Sequence, residues 1–213
     1  MTYSELKSLI QNYLQNTETT FVSDISNIIK QAEDRILQAV KLPDFRKNVT
    51  GTLTSGNQYL STPSDFLDNF SLSITNSDSQ EFLLFKDVNF IREAYPNAST
   101  TSVPKHYALF DDASFIVGPT PDSSYVVELH YFYKPTSITA GEDSGTTWLS
   151  TYATNALLYG CLLEGYIYMK GEVDMLTVYN QRYNDAIARL KNLGEGENTT
   201  DQYRDDVHRI QRS

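Results

Sequence analysis

The period of the hydrophobic pattern changes twice along this 213-residue chain, and that change constrains the fold more than any single motif. Up to about residue 47, apolar residues recur three and four positions apart, which is typical of amphipathic helices. From residue 48 to about residue 145 the apolar positions mostly alternate with polar ones, and turn residues separate the runs, as in β-strands. Helical spacing then returns from residue 146 to Gly194. The sequence therefore predicts helices, then strands, then helices again.

Each helical stretch is predicted to contain two helices. The first helix begins with the capping box Thr2 to Glu5, and the second stops before Pro43. The third helix carries little charge between Trp148 and Ile167. A helix that is apolar most of the way round is buried or lies between subunits. The fourth helix is predicted to end at Gly194, a glycine in the position that follows a helix C-terminus.

Two helix pairs that are far apart in sequence, each with one apolar stripe, most simply close into a single bundle. The predicted fold class is therefore α+β: a four-helix bundle, an inserted antiparallel β domain and an extended C-terminal tail. The predicted domains are 1–47 with 146–194 for the bundle, 48–145 for the β domain and 195–213 for the C-terminal extension. Within the β domain we expect a hairpin of residues 48–54 and 58–61, and a short helix that Asp87 caps.

The excess of acidic residues lies in the middle of the chain. The net charge is −10, and residues 48–145 contain four basic and twelve acidic side chains. A protein that binds DNA tightly presents basic residues to the phosphates, so this distribution argues against specific nucleic-acid binding. Like charge can instead keep DNA from sticking to a surface that it slides past.

The residues that usually carry chemistry form no catalytic or metal-binding pattern. The histidines His106, His130 and His208 have no metal-ligand spacing, and Cys161 lies in an apolar helical stretch where a thiol is inert. The adjacent carboxylates at 33–34, 111–112 and 205–206 are expected to be solvated. We therefore predict no enzyme, no metal and no cofactor. No apolar run reaches the roughly 18 residues of a membrane span, and the start lacks the features of a signal peptide, so a cytosolic soluble protein is expected.

Aromatic residues are the one surplus, with 15 tyrosines and 10 phenylalanines. Aromatic clusters occur in β cores and subunit interfaces, but they also form stacking platforms for sugars or bases. The residues concerned are Tyr107, Phe110, Phe115, Tyr125, Tyr131, Phe132 and Tyr133. The alternative function is accordingly a module that binds glycans on an aromatic platform, which would expose these rings.

Several stretches of the chain, taken in order, are similar to those of one family. They are residues 16–36, 42–43, 46–54, 86–96, 104–110, 118–121, 128–135 and 159–160. In these stretches the chain resembles the head-to-tail adaptor proteins, also called connector or head completion proteins, of tailed bacteriophages and particularly of short-tailed phages. The resemblance covers about residues 1–195. It implies a structural protein of the virion, made in the host cytoplasm and located at the head-to-tail interface.

The resemblance also implies the partners. Such adaptors form a homo-oligomeric ring, typically of twelve subunits, beneath the portal protein and above the tail nozzle or tail tube protein. Genomic DNA passes through the ring without sequence-specific binding, and no membrane is involved. The C-terminal extension of such adaptors commonly docks on the portal. The residues that we expect to do so here are Tyr203, Arg204, Val207, Arg209, Ile210 and Arg212.

Overall fold

The computed structural model describes residues 1–199, with side chains as far as Gly194. The chain divides into two compact units. The helical unit comprises residues 1–43 and the described residues from Thr136 on, and the β unit comprises residues 44–135. The helices are α1 (Tyr3–Leu14), α2 (Thr19–Ala39), α3 (Val88–Ala94), α4 (Trp148–Tyr152), α5 (Thr154–Tyr168) and α6 (Val173–Thr199). The strands are β1 (Arg46–Leu53), β2 (Tyr59–Ser61), β3 (Phe66–Asn76), β4 (Ser79–Phe82), β5 (Leu84–Phe85), β6 (Thr101–Ser102), β7 (His106–Asp111), β8 (Ser114–Gly118), β9 (Thr120–Pro121) and β10 (Tyr125–Tyr133).

Helix α5 is the centre of the helical unit and packs against α1, α2 and α6. Its glycines allow close approach of the neighbouring helices. A Cβ atom on Gly165 would lie 2.6 Å from Cδ1 of Leu14, and one on Gly160 would lie 3.3 Å from Cβ of Ala32. Because α5 is surrounded on several sides, its low charge is explained by burial within its own chain.

The predicted four-helix bundle with one inserted antiparallel β domain is wrong, although the α+β class is right. The described residues form six helices and three sheets, and two of the strand pairs, β5–β7 and β6–β9, are parallel. The predicted third helix is broken into α4 and α5 at Ala153, whose φ of −121° and ψ of 34° are not helical. Three helices pack around one central helix instead of four equivalent helices facing a common axis.

The β unit contains two four-stranded sheets with a shared core. Their strand orders are β1-β10-β3-β4 and β2-β8-β7-β5. Apolar residues of both sheets form one buried cluster, which includes Leu72 and Leu129 from the first sheet and Phe115 and Val117 from the second. The predicted hairpin of β1 and β2 is wrong, because β1 pairs antiparallel with β10 over eight residues and β2 pairs with β8.

The sequence predicted two helix starts correctly and one helix end incorrectly. The capping box of α1 and the Asp87 cap of α3 are both present, so these helix starts are confirmed. The predicted end at Gly194 is wrong, because α6 continues to Thr199. Gly194 meets a packing requirement instead: a Cβ atom there would lie 2.9 Å from Cδ2 of Leu42.

Candidate functional site

The residues predicted to dock on a partner lie outside the described part of the chain. All six fall between Tyr203 and Arg212, whereas the description ends at residue 199. His208 and the carboxylate pair at 205–206 lie outside it as well. The candidate site is therefore sought on the surfaces of the two described units.

The potential nucleophile Cys161 is fully enclosed. Its side chain lies in α5 and is 0% exposed. Burial raises the pKa of the Cys161 thiol well above its ordinary value, and the charges of Glu33 and Glu164 raise it further. A neutral, enclosed thiol cannot attack a substrate in solution.

The described histidines each have a structural partner. The hydroxyl of Tyr95 and Nδ1 of His106 are 2.8 Å apart, and burial, with the charges of Lys86 and Lys105, lowers the pKa of His106. Nε2 of His130 lies 3.3 Å from Oε1 of Glu128 on the first sheet. Within residues 1–199, histidine, cysteine, aspartate and glutamate side chains form no group of three that could hold a metal ion.

Adjacent carboxylates also have structural roles. Glu33 is buried in α2 and accepts a hydrogen bond of 3.0 Å from the backbone N–H of Ile138. Asp111 accepts hydrogen bonds from the hydroxyl of Ser114 and the N–H of Ala113, and these lower the pKa of its carboxyl group. Asp111 therefore stabilises the turn between β7 and β8, where ionised aspartate is the useful form.

Most of the seven aromatic residues considered for a stacking platform are core residues. Tyr107, Phe115, Tyr125, Tyr131 and Phe132 are buried. Phe110 is exposed, but its ring packs edge to face on Tyr59 at 5.2 Å and lies beneath the guanidinium of Arg92. The described residues thus use the aromatic surplus mainly to fill the β core.

No helix in the described part of the chain has the length and apolar character needed to cross a membrane.

A polar cluster centred on Asp65 connects the start of β1 to the end of β10. Its carboxylate accepts hydrogen bonds from Nζ of Lys47 at 2.8 Å and from the hydroxyl of Tyr131 at 2.7 Å. Burial opposes ionisation of Asp65, but these two hydrogen bonds, the positive charge of Lys47 and a backbone hydrogen bond together outweigh it and lower the pKa of the carboxyl group. Burial and the bond to Asp65 raise the pKa of Tyr131 to about 12.

The outer face of the first sheet is a hydrogen-bonded polar surface. Glu128 lies at its centre and accepts hydrogen bonds from the side-chain amides of Asn48 and Gln80. The same amide of Gln80 donates to Oγ of Ser73 at 2.9 Å. These bonds join β1, β10, β3 and β4 across the face, so the sheet is held as one plate from edge to edge.

Among residues 1–199 no further strand pairs with the outer side of β1 or of β4, so these two edges of the sheet are open, and they differ from each other. All residues of β1 from Lys47 to Thr52 are exposed, and all four residues of β4 are exposed. Large apolar side chains lie on or just after the β4 edge: Phe82 is 63% exposed, and Leu84 and Phe85 are 60% and 52% exposed. Exposed apolar side chains beside an unpaired strand edge are the features of a protein–protein contact.

The surface of the helical unit includes a groove. It lies between α6 and the start of α5, has a volume of about 540 Å³, and is partly lined by Tyr152, Arg182 and Arg189. Asp185 lies on its wall between the two arginines. The groove combines charges of both signs with exposed apolar carbon, which suits a peptide surface better than a small substrate.

The described part of the chain therefore offers surfaces for partners, whereas Cys161, Glu33 and Asp111 have structural roles.

Sequence analysis did not identify the two open sheet edges, because alternation shows which face of a strand is buried and not which strand is outermost. A family model described as SU10 adaptor protein matches residues 1–209 of the chain. Among curated proteins no match was found.

Proposed function

Because the chain belongs to the SU10 adaptor protein family, we propose that it is a structural protein of a tailed-phage virion and lies at the head-to-tail interface. The match over residues 1–209 is the observation that carries this proposal. It also confirms the resemblance to phage adaptors found in the sequence. The structural roles of Cys161, Glu33 and Asp111 are compatible with a non-enzymatic protein.

In this proposal, copies of the chain form a ring, with twelve subunits as the expected number, between the portal and the tail nozzle or tail tube protein. The ring continues the channel through which genomic DNA leaves the head. The acidic middle of the chain, with twelve acidic and four basic residues in 48–145, supports a conduit that does not retain DNA. The proposed partners are accordingly other copies, the portal and a tail protein.

The proposed contact with the portal is the C-terminal extension, residues 195–213. Its charge pattern supports this role, since arginines at 204, 209 and 212 flank the apolar residues Tyr203, Val207 and Ile210. Arginine and tyrosine are enriched where interfaces gain most of their binding energy.

Light scattering coupled to size exclusion tests the proposal, with the chain alone and after mixing with its cognate portal. We expect a ring, or recruitment to the portal in a fixed ratio. A chain lacking residues 200–213 should keep its fold and lose portal binding. A full chain that stays monomeric and ignores the portal would refute the adaptor function, whereas undiminished binding of the shortened chain would refute only the docking segment.

A further inference from the structure

We propose that copies of this chain join through the two open edges of the first sheet, with β1 of one copy pairing antiparallel with β4 of the next. This inference rests on the proposed adaptor function and specifies the contact between its copies. The occupant of each edge is thus a second copy of the chain.

The first observation is that β1 has no device that would prevent strand addition. Edge strands of monomeric proteins are usually short, bulged, interrupted by proline or lined with charge. β1 instead pairs with β10 over eight residues in an uninterrupted register, contains no proline, and carries charge only at Arg46 and Lys47. By contrast, the register between β10 and β3 shifts twice. β1 is therefore a long, regular edge of the described sheet.

The second observation is that each edge exposes an apolar side chain, on the inner face at β1 and on the outer face at β4. Val49 is opposite the buried Leu129 and so belongs to the inner face of the sheet, but it is 40% exposed. At the other edge Phe82 is opposite Ser73, which is itself opposite Glu128, so Phe82 belongs to the outer face, where it is 63% exposed. Each edge thus leaves apolar surface that a neighbouring strand would cover.

The third observation is the direction of the strands. Each strand of the order β1-β10-β3-β4 is antiparallel to its neighbour, so β1 and β4 run in opposite directions. When a second copy is added in the same orientation, its β1 is antiparallel to β4 of the first copy. The alternation of the sheet therefore continues across the contact, in the pairing geometry that is slightly the more stable.

The charges of the two edges are complementary. β1 begins with Arg46 and Lys47 and has no acidic residue, and Lys47 also pairs with Asp65 of the same chain at 2.8 Å. The β3–β4 turn and β4 carry Asp78 and Glu81 and have no basic residue. Opposite charges attract at this contact and like edges repel, so β1 is directed to β4 and not to another β1.

A contact between two different edges has a consequence for assembly. It is heterologous, and each copy keeps one free edge after the first contact, so copies add until the rotation between them closes a ring. This is the symmetry that the proposed adaptor requires. A contact between identical edges would stop at a dimer.

The test blocks one edge at a time with a substitution to aspartate, which has low β-propensity. In a mixture of the two variants, the two substituted edges also repel each other, because both carry aspartate. Val49→Asp blocks β1 and Phe82→Asp blocks β4. Val126→Asp is the matched control, because Val126 is 54% exposed on the same sheet but lies on the inner strand β10. Masses are measured by light scattering under conditions in which the wild type forms a ring. If the wild type assembles only on the portal, cooperativity of portal binding is measured instead.

We expect each blocked variant to stay at the 24.2 kDa of one chain and the control to assemble as the wild type does. An equimolar mixture of the two blocked variants should give particles of twice that mass and no ring, because only one intact pair of edges remains. This result also shows that both variants are folded. On the portal, the Hill coefficient should fall to about 1 for each blocked variant.

Four results would overturn the inference. Blocked variants that assemble normally, or a mixture that fails to pair, would show that copies join elsewhere while the adaptor function stands. Variants that keep the ring and lose only the tail protein would assign the edges to that partner. A wild-type chain that never assembles and never binds the portal would remove the proposed function as well.

Discussion

The Asp65 cluster allows a quantitative prediction about the stability of the β unit. Tyr131→Phe removes one hydroxyl, which donates a 2.7 Å hydrogen bond to the Asp65 carboxylate, and keeps the buried ring. Hydrogen bonds to charged groups contribute about 1.5 to 3 kcal/mol. Asp65 keeps its bond to Lys47 and its side chain is 31% exposed, so water replaces part of the lost interaction. We therefore expect a loss near the lower end, about 1.5 kcal/mol.

The assay is urea unfolding, followed by far-UV circular dichroism and tyrosine fluorescence. With a slope of about 2 kcal/mol per M, the expected loss lowers the midpoint by roughly 0.7 M. Tyr133→Phe is the matched control on the same strand. Tyr133 is half-buried, and the substitution keeps its ring beneath Nζ of Lys47, 4.0 Å from the ring centroid. The control should shift the free energy of unfolding by less than about 0.5 kcal/mol.

The difference between wild type and Tyr131→Phe should also depend on pH in both directions. Folding lowers the pKa of Asp65. The ionised Asp65 therefore contributes to the free energy of unfolding above its unfolded pKa, and this contribution is lost as pH falls through the folded pKa. When Asp65 is protonated, its hydrogen bond with the Tyr131 hydroxyl is neutral and contributes about 1 kcal/mol. The pKa of Tyr131 is raised from 10.0 to about 12, so its contribution is complete below pH 10 and lost as pH rises through 12. A difference below 0.5 kcal/mol at pH 7, or one that does not decrease as pH rises from 10 to 12, would refute the reasoning.

Three further predictions concern single residues. Glu33→Ala leaves the N–H of Ile138 without its acceptor, so it should lower the free energy of unfolding of the helical unit by about 1 to 3 kcal/mol, measured by thermal unfolding. The control Gln31→Ala, on the exposed side of α2, should have little effect, and equal effects of the two substitutions would contradict the role of Glu33. The thiol of Cys161 should react with Ellman's reagent only after unfolding in urea, and rapid reaction in the native protein would contradict its burial. Asp87→Ala should cost about 1 kcal/mol through loss of the α3 cap, and unchanged amide exchange in α3 would argue against that.

Local chemistry could be read from the sequence, and long-range pairing could not. The capping box of α1 and the Asp87 cap involve residues within three positions of each other, so their signals are contained in the sequence. The partner of β1 is β10, more than seventy residues away along the chain for every pair. A nearby turn at Gly56 favoured β2 instead, because a local pairing costs less chain entropy than a distant one.

Two other features gave no sequence signal for a physical reason. The break at Ala153 has neither glycine nor proline, and alanine is the strongest helix former, so the two helices α4 and α5 were read as one. The open edges of the first sheet depend on which strand is outermost, which the alternation within a strand does not encode. The family, by contrast, could be recognised from the joint order of short stretches, although none of them is a catalytic motif.

The pairing of β1 with β10 has a consequence for the history of this chain. The strands by which the chain enters and leaves the β unit are direct neighbours, with Arg46 opposite Phe132. Paired residues on adjacent strands have Cα atoms only about 5 Å apart. A whole domain with such close ends can be gained by an insertion or lost by a deletion at a single loop, without stretching the chain that remains. The helical unit could therefore have acquired the β unit in one genetic event, or exchanged it for another.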